Sequence, residues 1–339
     1  MNSVDVIVPC YRYGRYLRQC VNSVLTQGIQ SVRILVLDDC SPDDTPAVGA
    51  ALADEDPRVI YRRHEENLGH IRTYNEGIEW AEAEYLLLLS ADDYLLPGAL
   101  LRATALLEGH PAMSFCFGDA TVMSEGNSAS LPDRFEVNRR AGPCQIFTGA
   151  QFIELCVGHR ARNLVPTPTA VVRTQLLKRL GGYRPELPHS ADLELWLRLS
   201  AHGPVGYVRA NQAVYRLHAQ NMSKDYSDLN VMRDLEQRLA AFEAFLSACS
   251  DVLADPRRLR SGLFQSLARD AVGIASTAFN NNRPELSMRL SEFACQIDPS
   301  VRRTGAWCRL ALKRRLGLRV SSALQPAVAA FRRGDSRSG

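Results

Sequence analysis

At 339 residues, with 46% hydrophobic and 23% charged side chains, the chain is long enough for one large domain with an appendage or for two domains. Its apolar runs fall short of the roughly 20 residues that a membrane-spanning helix needs, and Met1 to Asp5 opens no basic and apolar leader, so a cytoplasmic protein is expected. The net charge of +3 hides an asymmetry: residues 301–339 carry ten Lys or Arg against one acid, Asp335, which leaves 30 basic and 36 acidic groups in the first 300.

Nine cysteines without CxxC pairs or regular spacing argue against a zinc cluster or a disulfide scaffold. Asp5 to Pro9 reads as a short buried strand, and apolar residues at 17, 21, 24 and 25 predict a helix over 16–26 closed by Gly28. A second apolar strand, Ile34 to Leu37, runs into Asp38-Asp39-Cys40-Ser41-Pro42-Asp43-Asp44-Thr45. A third strand is predicted at 58–61, then a polar loop, Glu65 to Gly69, and a helix over 71–81. Tyr85 to Leu89 is again apolar and of strand length, and it leads through Ser90 and Ala91 into Asp92 and Asp93. Two adjacent carboxylates there repel each other and lose hydration, so a divalent cation is the first expectation.

A helix over 98–107 and an apolar stretch at 113–117 follow; residues 118–143 read as a connecting loop or an acceptor-side flap. Further helices are predicted at 149–157, 174–180 and 193–200, the last with Asp192 at its dipole-favoured N-terminal end, and strands at 170–172, 205–208 and 213–217. From about Ser227 the pattern is mostly helical. Strands alternating with long helices predict an α/β fold with a mostly parallel sheet covered on both faces, whose ligands bind beyond the carboxyl ends of the strands. Pro9-Cys10-Tyr11, Asp38-Asp39 and Asp92-Asp93 all fall at those ends. The expected division is 1–225 for this domain and 226–339 for a helical extension with a basic tail.

Val6-Ile7-Val8-Pro9 with Tyr11, Asp38 to Asp43, Asn67-Leu68-Gly69 with Asn75, Ser90 to Asp93 with Pro97, and Asp192 with Trp196 to Arg198 stand in a set order. This ordered set, over roughly residues 4–220, resembles the family 2 glycosyltransferases, inverting enzymes of GT-A (Rossmann-like) fold that use nucleotide-sugar donors. The resemblance implies a Mg²⁺ or Mn²⁺ ion on Asp92, completed by His218, and a donor-sugar or water contact at Asp93. Ser90 stands where the family's Asp-x-Asp motif has its first acid. Pro9, Cys10, Tyr11, Asp38 and Asp39 are implied at the nucleotide, a carboxylate accepting from an imide N–H that uracil has and thymine shares, which favours a UDP-sugar. His70 and Arg72 are implied at the diphosphate, and Asp192 as the catalytic base, with Ala191 where the family has an acidic neighbour. Ser223 follows His218 at the family's usual spacing.

The implied activity is metal-dependent transfer to a glycan or lipid-linked acceptor, non-processive because the Gln-x-x-Arg-Trp motif of processive synthases is absent. A sugar nucleotidyltransferase is an alternative, poorly matched by Cys10 to Gly14, and Ser90 and Ala191 leave room for a non-catalytic nucleotide-sugar-binding module. Trp307 to Val320 combines an apolar stripe (307, 310, 311, 318) with five basic residues. The expectation is contact with an anionic membrane at its inner face; no nucleic acid is expected, for want of interleaved aromatic and basic residues.

Overall fold

The computed structural model describes residues 3–124, 127–130, 142–218, 221 and 231–317. Ser223, Leu318 and the rest of the basic tail beyond Gly317 lie outside the described residues, as does most of 125–141. The described residues form two compact units, the first running to Cys156 and from Arg162 to Ala254, the second made of Val157–Ala161 and the chain from Asp255 onward.

In the first unit the chain runs β1 (Ser3–Cys10), α1 (Gly14–Leu25), β2 (Ser31–Asp38), α2 (Thr45–Glu55), β3 (Val59–Arg63), α3 (His70–Trp80) and β4 (Tyr85–Leu88). These strands pair in parallel in the order β3-β2-β1-β4, as their near-continuous apolar runs require of a sheet buried on both faces. The chain continues through β5 (Tyr94–Leu95), α4 (Ala99–Glu108), β6 (Phe115–Ser124), β7 (Asn127–Ser130), β8 (Cys144–Phe147) and α5 (Gly149–Gly158). Then come β9 (Val171–Arg173), α6 (Thr174–Leu180), α7 (Ala191–Ala201), β10 (Val205–Leu217) and α8 (Val231–Ala248). Antiparallel β9 joins β4 to β6, and β6 pairs in parallel with β10, completing a mixed, mostly parallel central sheet with short antiparallel additions.

Two sequence readings change. The stretch from 118 is no loop at its start, because β6 continues to Ser124 along β10. The two strands expected at 205–208 and 213–217 are one, since irregular register at Val208/Asn211 and Asn211/Ala213 absorbs the polar interruption between them.

Asp5, at the amino end of β1, is fully buried. Burial pushes its pKa up, but Arg33 at 2.8 and 2.7 Å and the N–H groups of Ala83 and Glu82 outweigh it, so the net shift is downward. A second buried charge, Glu194 on α7, accepts from Arg198 and from Arg184, each at 2.9 Å. Arg198 also donates to the carbonyls of Leu180 and Gly182, which fixes the turn after α6. These two acids are structural by their complete satisfaction.

The second unit contains α9 (Pro256–Asn280), α10 (Pro284–Ile297), a short 3₁₀ turn (Pro299–Arg303) and a helix over 305–317, α11. Asp255 caps α9 by accepting from the Arg258 N–H at 2.9 Å. Leu263, Leu267, Leu290, Val301 and Leu310 are buried in this unit. Helix α8, which the expected division assigns to the extension, groups with the first unit. No helix among the described residues is long and apolar enough to cross a membrane.

Candidate active site

The carboxyl ends of β1, β2 and β4, the start of α3 and the start of α7 line one cavity of about 660 Å³, within the size range of small-molecule sites. Of the residues singled out in the sequence, Pro9, Cys10, Tyr11 and Asp39 line it, together with His70, Asp92, Asp93 and Asp192. Asp38, Arg72 and His218 do not, although His218 reaches the cavity wall through Asp92.

Residues at the end of β2 divide the labour. Asp38 points away from the cavity, fully buried, and accepts from the Ser41 N–H at 2.8 Å and the Tyr61 hydroxyl at 2.7 Å, with the Arg63 guanidinium 3.4 Å away. Its carboxylate holds the Cys40–Ser41 turn to β3, which explains a positive φ of 62° at Cys40. Asp39 turns to the cavity and is held by the N–H groups of Leu68 (2.7 Å) and Gly69 (3.0 Å) and by His64 Nδ1 (2.8 Å). Asn67 locks the same loop by donating to the Asp39 carbonyl at 3.1 Å, so Asn67-Leu68-Gly69 is the cradle of Asp39. His64 also meets Glu76 at 2.9 Å; burial pulls its pKa down, but its bonds to Asp39 and Glu76 outweigh this and raise it.

After β1, Tyr11 presents a 40% exposed side chain at the cavity, a flat face suited to packing on a base. Arg12 takes a positive φ of 63°, with its N–H donating to Ser41 Oγ at 3.0 Å. Burial pushes the Cys10 thiol up to about 12, so it lines the cavity as an inert apolar group.

At the end of β4, Asp92 accepts from Ser90 Oγ at 2.5 Å on one oxygen and meets His218 Nε2 at 3.0 Å and Asn221 Nδ2 at 3.4 Å on the other. Asn221 also binds the His218 N–H and, at 2.9 Å, the Arg216 carbonyl, so it shapes the turn that carries His218. Asp93 accepts from the Arg216 N–H at 2.9 Å. Burial, then the neighbouring Asp92 charge, holds the Asp93 carboxyl well above the usual range. No group of three or more His, Cys, Asp or Glu side chains among the described residues is arranged to hold a metal ion. Asp92 and His218 nevertheless bring one carboxylate and one imidazole together, an oxygen and a nitrogen donor that a divalent transition ion such as Mn²⁺ accepts more readily than the harder Mg²⁺, with substrate phosphates and water to fill its remaining positions.

Asp192 opens α7 and is partly exposed in the cavity. It accepts from Asn163 Nδ2 at 2.7 Å and from the Leu193 N–H at 2.7 Å. Burial raises its pKa above 3.8 against the pull of these donors. The segment before it is tied to α3: His70 Nε2 donates to the Pro188 carbonyl at 2.8 Å, and the Asn75 amide pairs with both the N–H and the carbonyl of Tyr183, each at 2.8 Å. His70 therefore joins the two sides of the site by a backbone contact, and Arg72 is exposed on α3.

Sequence reasoning missed His64, Asn163 and Asn221. Each is a single polar residue whose partner is 25 or more positions away, at distances of 25, 29 and 129 residues from Asp39, Asp192 and Asp92. The only local signal was the position of Asn221 three residues after His218.

Residues 5–164 match the family model described as glycosyl transferase family 2. An uncharacterized protein of Mycobacterium tuberculosis is 29% identical over 221 residues, 63% of this chain and 66% of its own length. A GalNAc(5)-diNAcBac-PP-undecaprenol beta-1,3-glucosyltransferase of Campylobacter jejuni is 31% identical over 128 residues, 38% of this chain and 41% of its own length. The chain thus spans about two thirds of the first relative's length and about two fifths of the second's. Among solved structures, TarS 1–349 of S. aureus in complex with UDP-GlcNAc shares the fold with a TM-score of 0.62 at 16% identity, over 89% of this chain and 92% of that one. The matched strand ends are those that build the cavity: residues 5–164, a little under half of the chain, are similar to glycosyl transferase family 2, and the fold is GT-A.

Proposed function

We propose that this chain is a metal-dependent, inverting glycosyltransferase that moves one sugar per encounter from a UDP-sugar to a hydroxyl of a glycan or lipid-linked acceptor. The observation that carries the reading is the meeting, in one cavity, of a carboxylate with a raised pKa, Asp192, and the acidic ends of β2 and β4. A raised pKa suits a general base working near neutral pH.

In this reading Tyr11 packs on the base and Asp39 accepts from the uracil imide N–H, in place of one of its present backbone donors. Asp93 contacts the donor sugar, and His70 keeps the α7 side in place against the donor side. Asp92 and His218 would hold Mg²⁺ or Mn²⁺, which when bound supplies positive charge to offset that building on the departing diphosphate. Asp192 takes the acceptor hydroxyl proton as the oxygen attacks the anomeric carbon. The bond from that carbon to the diphosphate oxygen breaks, and UDP leaves with its electron pair. Positioning and electrostatic complementarity supply most of the acceleration.

Two similar proteins support the donor and acceptor classes: the Campylobacter jejuni relative is a glucosyltransferase for a PP-undecaprenol-linked glycan, and the TarS structure holds UDP-GlcNAc. A lipid-linked acceptor would place the chain beside the inner face of a membrane. The test is a panel of UDP-, dTDP- and GDP-sugars assayed for donor hydrolysis and transfer with and without Mn²⁺. Turnover of a UDP-sugar that needs the ion is the expected result; a preference for GDP-sugars would overturn the UDP assignment, and metal-independent turnover the role given to Asp92.

A further inference from the structure

Helix α11 has two chemically distinct faces. Its inner face carries Leu310, which is 1% exposed, and Arg314, which donates to Ser287 Oγ at 2.7 Å and Ser291 Oγ at 2.8 Å on α10. Lys313 reaches Ser276 Oγ at 3.0 Å and Asn280 Oδ1 at 3.1 Å on α9. The apolar stripe expected to meet a membrane (307, 310, 311) is thus largely turned into the unit, with Leu310 buried and Trp307 and Ala311 half-buried.

The outer face is a second stripe. Cys308, Leu312 and Leu316 stand at i, i+4 and i+8, all exposed, with Leu312 at 56% and Leu316 at 41%. At 3.6 residues per turn, exposed Arg309 and Arg315 fall on either side of Leu312. Between Pro299 and Gly317 there are six Lys or Arg and no acid, and the two that face inward, Lys313 and Arg314, hydrogen-bond to hydroxyl and amide groups. The positive charge of this surface is therefore not cancelled by carboxylates within the segment.

We propose that α11 docks on an anionic lipid surface, with Cys308, Leu312 and Leu316 entering the headgroup boundary and Arg309 and Arg315 on lipid phosphates. Apolar residues flanked by arginines along one outward helix face fit that boundary. A second copy of the chain fits less well, since a two-fold contact through this face sets like charges against each other. Nucleic acid would engage the arginines and leave the leucines in water. The surface deepens the lipid-linked acceptor reading and rests on that reading for its purpose, though not for its geometry.

The test is co-sedimentation of the full chain with phosphatidylcholine vesicles, with and without phosphatidylglycerol, in the absence of donor and acceptor. Binding to the anionic vesicles alone, weakened at about 0.5 M salt, is expected. Leu312→Ser with Leu316→Ser should weaken it about tenfold, and Arg309→Gln with Arg315→Gln roughly 25-fold, at about fivefold per arginine. Both variants should keep the wild-type melting temperature, because the four side chains face outward. Equal binding to neutral vesicles, or unchanged binding by both variants, would overturn the proposal. A dimer broken by the leucine changes in a chain that ignores vesicles would overturn it in favour of a second copy. No sugar transfer enters the readout, so failure here leaves the proposed activity standing, and failure of the transfer assay leaves this surface standing.

Discussion

Strands β2 and β4 both deliver a pair of aspartates to the carboxyl edge of the sheet, and the two pairs are held in different ways. Asp38 and Asp39 are bound mainly by backbone N–H groups and fixed side chains: Ser41, Tyr61 and Arg63 for the first, Leu68, Gly69 and His64 for the second. Among the described residues, Asp92 is held by the side chains of Ser90, His218 and Asn221, and it crowds Asp93, whose carboxyl is pushed up by burial and by that neighbour. A carboxylate surrounded by backbone donors holds a turn in shape. One surrounded by a hydroxyl, an amide and an imidazole has partners that can turn away, so it is the pair ready to exchange them for a cation and a diphosphate.

The largest effect that this contrast predicts is at Asp92. Asp92→Asn removes the charge from the exchangeable pair, and transfer should fall about 10²- to 10³-fold. Calorimetry should show UDP binding that Mn²⁺ no longer strengthens, while the melting temperature holds or rises because the repulsion with Asp93 is gone. Wild-type transfer by this variant would break the contrast at its functional end.

Asp38 tests the structural end. Asp38→Ala leaves the Ser41 N–H and the Tyr61 hydroxyl without their acceptor in a buried place, at a cost of about 3 kcal/mol. Denaturant titration should show that loss, with UDP affinity in the folded fraction changed far less. The reverse result, full stability with weakened UDP binding, would return Asp38 to the nucleotide-binding role implied by the family resemblance.

Much of this architecture was legible in the chain. The apolar strands that end in acids and the convergence of Pro9, Asp39 and Asp92 follow from local pattern and from the geometry of parallel sheets. What was not legible depended on distant partners. Asp38 and Asp39 look alike in sequence, and the Tyr61 hydroxyl on β3, 23 residues away, marks which one is structural. Asp92 meets His218 across 126 residues. A strand that absorbs a polar interruption by register shifts, as β10 does between Val208 and Ala213, reads as two strands because side-chain alternation is lost there. In α11, periodicity finds apolar positions but not which of two stripes the unit has buried; the burial of Leu310, with Lys313 bonded to α9 and Arg314 to α10, decides that.

The smallest effect sharpens the same contrast at a third carboxylate. Asp192 combines both modes, with the backbone N–H of Leu193 and the side chains of Asn163 and Thr167 as partners, and the carbonyl oxygen of Asn163 is itself fixed by the Val165 N–H at 2.9 Å. Burial raises the Asp192 pKa, and the Asn163 amide opposes that by stabilising the charged form. As a base, Asp192 works when deprotonated, so transfer should rise with pH through a limb that lies above the ordinary carboxylate value of 3.8. Asn163→Ala removes a donor to the charged form; the limb should move to higher pH and transfer above it should fall about tenfold or less. Asn163→Asp sets a like charge beside Asp192 and should move the limb further in the same direction. A purely structural role for Asn163 would lower the rate at every pH and leave the limb in place, so the pH profile of the two variants separates positioning of the base from support of the fold.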